Sequence, residues 1–405
     1  MLINFDMNLL FVFVAYWSLE TTLLYAFMGC IGVWAIRMTN KKHIILPFYK
    51  NKYYRIWFII WTLLAACRLI DGDAGGTDAY AYYQYFVRCF NIRGYELTSL
   101  GLFDSNLGFR WYNRIFSLIS KSEVYYLALT HGLMLFFVIN FIDTFKFRKT
   151  YVIPFFLIAF WYIRGFCTIR SNLATSIFLL SLIFFLHEKY KSGIVVVLLS
   201  VLFHKMMILY ALFVPFYLYI KDRNIPIKTI IIAIICISLF TSMLVNFVFG
   251  GTILSGEMSD HYSAYTEAAS EVGFLGNFWK IAFEQILLGA FLLIFRQSLF
   301  KYRDSSSLLE KRKFDLLWYA CCFDMMMIPI CSSFGIWRGY EIFYIPRLIM
   351  WGLIFALKAP KAEKWKILYS FFLTICVLGW FLQRTSAESF WKDTGLMPYL
   401  FRDVF

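Results

Sequence analysis

Arg164, Arg170, His204 and Lys205 lie inside, or at the breaks of, an almost continuously apolar run from Trp161 to Ile220. An ionisable group at such depth is costly and ordinarily faces a partner or a water-filled cavity. Guanidinium groups suit a diphosphate, because each is planar, donates paired hydrogen bonds and stays charged. A histidine or an aspartate suits proton abstraction from a sugar hydroxyl. Residues of the same kinds recur elsewhere. Arg338, Glu341 and Arg347 stand in SFGIWRGYEIFYIPR, and Asp71, Asp73 and Asp78 in DGDAGGTDAYAYYQYF. Arg110 and Arg114 stand in FDSNLGFRWYNRIFSLIS. Tyr80, Tyr83 and Phe86 have a spacing that puts them on one helix face, where rings stack on sugars or pack against a lipid.

Each candidate also has a plainer use. Arg110, Arg114 and Arg347 suit snorkelling to headgroups. Asp71 and Asp73 suit turns, and Asp78 suits an N-cap as well as it suits catalysis. His204 fits a hydrogen-bonded core position, and Glu20, Glu284 and Asp324 fit pairing with a basic neighbour.

The elements that position these groups follow from composition. The chain has 405 residues, 61% hydrophobic and only 16% charged. Soluble domains average roughly 45–50% apolar and about 25% charged. Several stretches reach the roughly 20 residues that cross a bilayer core. The sequence therefore describes an all-α, polytopic transmembrane bundle of about 10–12 membrane segments, forming one integral membrane domain over residues 1–405. The net charge of +14 falls mainly in short loops, as in cytoplasmic loops, and gives no reason to expect nucleic acid as a partner. The 9 cysteines lack metal-ligand spacing and read as small apolar residues. The first apolar stretch is long, contains Glu20 and has no basic leader, so a span is expected there rather than a cleaved signal.

Basic loops fix the expected topology. A span within Asn8–Ile36 leads to a basic cytoplasmic loop, and a second, about Tyr54–Ile70, leads out to an extracytoplasmic loop at 71–122. Spans follow at about Val124–Phe145, Tyr151–Tyr162 and Leu173–Leu186. Ser192–Ile220 is too long for one ordinary crossing and short for two, with basic residues at both ends. A broken or re-entrant pair with its tip near His204 resolves the conflict, since Gly193–Phe203 rises only about 16 Å. Non-helical backbone at that depth must be buried in protein or line water. Later spans are expected at Ile227–Phe249, Phe278–Phe295, Phe314–Phe334, Leu348–Leu357 and Ile367–Leu382, with a second external loop at 250–276. Arg164, Arg170, His204, Arg338 and Arg347 then fall toward the extracytoplasmic side, which implies an anionic, lipid-borne substrate and an acceptor from outside. GxxxxGK[ST] and HExxH are absent, and DGD at Asp71–Asp73 matches a metal triplet in letters only. No metal or cofactor is expected.

The motifs also carry a resemblance. GTDAYAYYQYF at Gly76–Phe86 resembles the G-x-D-x-x-x-Y signature in the first large external loop of EpsG-like, Wzy-type polysaccharide polymerases. FDSNLGFRWYNRIFS is similar to the segment that follows it. CTIRSNLATSIF is similar to the family's Arg-x-x-x-Ala segment, matched by Arg170 and Ala174, and VLFHKMMIL to its histidine segment, matched by His204. MPYLFRDVF resembles the family's ending. Met206 and Met207 stand where the family more often has small residues.

The resemblance implies a multi-pass glycosyltransferase of the bacterial inner (plasma) membrane, GT-C-like in fold, with its site facing the periplasm or cell exterior. It would join undecaprenyl-diphosphate-linked oligosaccharide repeats into O-antigen, capsule or exopolysaccharide, inverting the anomeric carbon without a metal. It implies Arg170 and Arg338, with Arg164 and Arg347, on the donor diphosphate. His204 or Asp78 would activate the acceptor, and Tyr80, Tyr83, Arg110, Arg114 and Glu341 would line the acceptor sugar. Membrane lipid and a chain-length-regulating membrane protein are the implied partners. A lipid-linked oligosaccharide flippase, or a ligase-like transferase, would use a similar basic cavity.

Overall fold

A computed structural model of the chain describes residues 19–41, 48–71, 76–91, 106–145, 152–221, 289–334, 342–357 and 363–386, together with 223, 228, 229, 232 and 236. Among these residues the chain is helical, and no β-strand forms. The protein is an all-α polytopic membrane bundle. Among the described residues four helices, Leu19–Lys41, Glu123–Phe145, Ile169–Leu186 and Lys364–Leu382, are long and apolar enough to cross a bilayer. The expected spans between 227 and 295 lie largely outside the described residues, as does the loop at 250–276.

Packing within the expected single domain falls into two compact units, residues 1–211 with 374–405, and residues 212–373. The first unit contains α1 (Leu19–Lys41), α2 (Lys52–Ala66), α3 (Thr77–Asn91), α4 (Leu107–Ser117) and α5 (Glu123–Phe145). It continues through α6 (Ile153–Leu157), a π turn at Ile158–Tyr162, α7 (Ile163–Cys167), α8 (Ile169–Leu186), α9 (Tyr190–Phe203) and α10 (Met207–Ala211). The second unit contains α11 (Phe213–Ile220), α12 (Arg296–Asp304), α13 (Leu308–Phe334) and α14 (Tyr344–Ala356). The last helix, α15 (Glu363–Ser386), contributes residues 363–373 to the second unit and 374–386 to the first.

In the first unit, α5 and α9 both pack on α8, and α2 lies between α1 and α5. Helices in lipid gain little from apolar burial alone, so close packing and interhelical hydrogen bonds must hold them. Both are present. Trp61 Nε1 donates to the Met28 carbonyl at 3.1 Å, and the Tyr162 hydroxyl donates to the Trp61 carbonyl. Asn51 caps α2 by accepting from Tyr53 N, while its amide donates to Thr39 on α1 at 2.8 Å. Exposed Ile194, Val195, Leu198, Leu199 and Leu202 give α9 a lipid-compatible surface.

The loop expected at 71–122 folds into α3 and α4. Tyr80, Tyr83 and Phe86, expected to share one face, divide: Phe86 joins the face that α3 buries, made of Ala79, Tyr82, Tyr85, Phe86 and Cys89. The selection comes from the neighbours: Phe109 of α4 takes Tyr82 edge-on at 5.5 Å, and Tyr126 of α5 takes Phe86 at 4.7 Å. Tyr80 and Tyr83 are left half-exposed. The expected span ending at Tyr162 also runs further, to Cys167, because the π turn carries the helix on through Arg164.

Glycine packing gives a test. A Cβ at Gly32 would stand 2.6 Å from Pro154 Cβ, whereas a Cβ at Gly379 would meet nothing within 4 Å. Gly32→Ala should lower the melting temperature in detergent, at a cost of about 1–3 kcal/mol from overpacking. Gly379→Ala should leave it unchanged or raise it, through a helix propensity gain of up to about 1 kcal/mol. Equal melting temperatures for the two variants would contradict the α1–α6 packing.

Candidate functional site

The site is assembled around two breaks in otherwise apolar helices. The first is Thr168, the single residue between α7 and α8. Its backbone N–H and its hydroxyl both donate to the Arg164 carbonyl, each at 2.9 Å, and its own carbonyl accepts from Asn172 N and the Ser171 hydroxyl. The Asn172 amide donates to the Trp161 carbonyl at 3.0 Å, which ties α8 to the π turn. Arg164 therefore sits in the last turn of α7 and Arg170 in the first turn of α8, and both side chains are half-buried. A π turn inserted in a helix often accompanies a functional site.

The Asp78 segment is pressed onto this junction. Gly76 has φ +103°, and a Cβ there would lie 3.0 Å from the Phe166 carbonyl oxygen. Only glycine adopts that conformation at little cost, and only glycine admits so close a backbone approach. The Gly76 carbonyl accepts from Ala79 N and Tyr80 N, which starts α3. Asp78 thus lies in the first turn of α3 rather than at its cap, where the helix dipole favours a carboxylate. Helix α3 touches both α7 and α8, so the structure brings Asp78 and Tyr80 to the end of the molecule that carries Arg164 and Arg170.

The second break is His204. Helix α9 stops at Phe203, and His204 takes extended backbone, φ −152° and ψ 116°. This is the interruption expected from the length of the Ser192–Ile220 run. Asn106, just before α4, accepts from Lys205 N at 3.3 Å, and the His204 ring accepts from Met206 N through Nδ1, also at 3.3 Å. Gly108 packs so closely that a Cβ would lie 3.0 Å from the Leu202 carbonyl carbon. The ring of Tyr112 meets Phe203 at 5.8 Å. Since Phe109 also stacks between Tyr85 and Tyr112, α3 and α4 link the two breaks.

The segments Gly76–Phe86, Phe103–Ser117, Cys167–Phe178 and Val201–Leu209 therefore meet within the first unit, through their described residues. The EpsG family model matches residues 51–401, most of the chain. The protein belongs to the EpsG family. Comparison with curated proteins and with solved structures gave no match. Membership of the EpsG family supports a polysaccharide polymerase-type role in the membrane.

Other expected site residues of this EpsG family member take different positions. Arg114 donates from Nη1 to the carbonyls of Cys89 and Phe90, both at 2.7 Å, and so closes the C-terminus of α3. Arg110 is buried within α4. The Tyr83 hydroxyl donates to the Lys121 carbonyl at 3.1 Å. In the second unit, Arg347 is 3% exposed and pairs through Nε with Asp324 at 3.1 Å, while lying over the rings of Tyr344 and Trp351. Arg338 and Glu341 lie outside the described residues. Among the described residues no three His, Cys, Asp or Glu side chains converge. Sequence reasoning missed Asn106, Asn172 and the buried pair of Arg68 and His131. For Asn106 and Arg68 the available signal was a polar side chain within two residues of a helix end; Asn172 and His131, inside helices, carried none.

Gly76→Ala tests this geometry. The strained conformation alone costs about 1–3 kcal/mol, and the collision is with backbone, which no rotamer relieves. The variant is expected to reach the membrane at normal levels and yet give markedly less polymer, read as an immunoblot beside a polysaccharide gel from the same cells.

Proposed function

We propose that this protein is an inverting glycosyltransferase that polymerises undecaprenyl-diphosphate-linked oligosaccharide repeats at the outer face of the bacterial plasma membrane. The reading is carried by one observation: the Asp78 turn and the Arg164–Arg170 junction lie together in one unit, with the His204 break joined to them through α3 and α4. Family membership supports polymerisation as the outcome.

In this reading Arg170, assisted by Arg164, binds the donor diphosphate at the N-terminus of α8, where guanidinium charge and helix dipole act in the same sense. The acceptor hydroxyl oxygen attacks the anomeric carbon of the donor as the bond from that carbon to the diphosphate oxygen breaks. The hydroxyl proton passes to a carboxylate, and the diphosphate departs with its negative charge offset by the arginines. Arginines then do the work that a divalent cation does in other transferases, so the proposal is metal-independent. Attack from the opposite face inverts the centre.

The hydrogen bond at His204 supports a division of roles. Its Nδ1 accepts from Met206 N, which in the neutral ring puts the hydrogen on Nε2. His204 then donates to an oxygen of the donor or acceptor, and Asp78 is the base. The half-exposed Tyr80 is the ring assigned to the acceptor sugar.

Purified protein in proteoliposomes, given the lipid-linked repeat without metal or nucleotide, should produce a ladder of repeats. Arg170→Ala should lower its rate about 10²–10³-fold, the usual cost of removing one charge-stabilising donor. Asp78→Asn should abolish it. His204→Gln, which keeps an N–H donor, should retain more activity than His204→Ala; equal loss would make His204 the base instead. Translocation of the substrate with no ladder would replace the polymerase by a transporter.

A further inference from the structure

The end of α2 holds a charge that this mechanism does not use. Arg68 is 1% exposed. Its Nη1 lies 3.2 Å from His131 Nε2, and its Nη2 donates to the Phe166 carbonyl at 3.2 Å. Its guanidinium carbon stands 4.0 Å from the centroid of the Phe166 ring. His131 is 2% exposed on α5, and its Nδ1 lies 3.0 Å from the Leu127 carbonyl. A carbonyl only accepts, so Nδ1 carries the hydrogen; a guanidinium only donates, so Nε2 receives. These two contacts hold the ring in one orientation.

The Phe166 carbonyl is the point that Gly76 approaches. Phe166 also lies between Arg164 and Arg170 in the chain. One guanidinium therefore joins α2, α5 and the α7–α8 junction at the place where the Asp78 turn rests. Burying a guanidinium costs more than burying a leucine, so general cohesion is a poor account of its presence. We propose that Arg68, braced by His131, is a positioning residue that holds the Arg164–Arg170 junction against the Asp78 turn. The proposal rests on the reading of that junction as the diphosphate site. Lysine cannot replace Arg68, because a single ammonium does not divide between an imidazole and a carbonyl while stacking on a ring.

The test uses the full chain in proteoliposomes, with two readouts. The first is the turnover of the lipid-linked repeat. The second is the rate at which N-ethylmaleimide labels Cys167, followed by peptide mass mapping; this thiol is next to Phe166 and 7% exposed. Arg68→Lys and His131→Leu are expected to lower kcat about 10²-fold, as a misplacement near 1 Å does, with little change in KM. Both should label Cys167 about tenfold faster, as local opening of the junction requires. His131→Gln, whose amide oxygen can accept from Arg68, should stay near wild type in both readouts. Unchanged Cys167 labelling in Arg68→Lys would overturn the proposal, and so would faster labelling with wild-type turnover. A wild-type protein that makes no polymer would sink the functional reading instead, and the labelling rates alone would then decide whether the pair sets the junction.

Discussion

A helix interrupted in apolar surroundings exposes backbone N–H and C=O groups that no water satisfies, and each must find a partner within the protein. Most of this structure's first unit follows from meeting that demand at two places. At the α7–α8 junction, Thr168 fills the Arg164 carbonyl, Asn172 the Trp161 carbonyl and Arg68 the Phe166 carbonyl. At the α9 break, Asn106 and the His204 ring take the N–H groups of Lys205 and Met206. Besides Thr168 and His204 themselves, these partners come from just past α2, from α8 and from just before α4. The breaks therefore dictate which elements must pack together, and the residues suited to chemistry are the ones beside the breaks.

This dependence explains what was legible beforehand. Helix α5 was expected within a residue of its limits, because its apolar stretch is uninterrupted and bounded by Ser122 and the basic KFRK loop. The His204 break was legible from length alone, since the run around it fits neither one crossing nor two. The rest was hidden because the deciding partner is distant in sequence. Aromatic residues occur on more than one face of α3, so its own pattern could not say which face is buried; Phe109 and Tyr126 decide that. The π turn has no sequence signature, and without it the span is expected to end at about Tyr162.

The arginines show the same limit in another form. Residue type and position mark Arg114, Arg164, Arg170 and Arg347 as notable and pass over Arg68, and the surroundings separate all five. Arg114 ends on two carbonyls at the close of α3, Arg68 on a carbonyl and an imidazole, and Arg347 on the buried carboxylate of Asp324. In each case the fixed fork of donors meets fixed acceptors, which braces the fold. Arg164 and Arg170 differ in being half-buried at a junction of two helices, with the start of α8 behind Arg170. An anion arriving there gains from charge, from paired donors and from the helix dipole together. In the proposed mechanism the substrate-facing role falls to the Arg164–Arg170 junction, and the buried Arg68 behind it keeps that junction in register with Asp78.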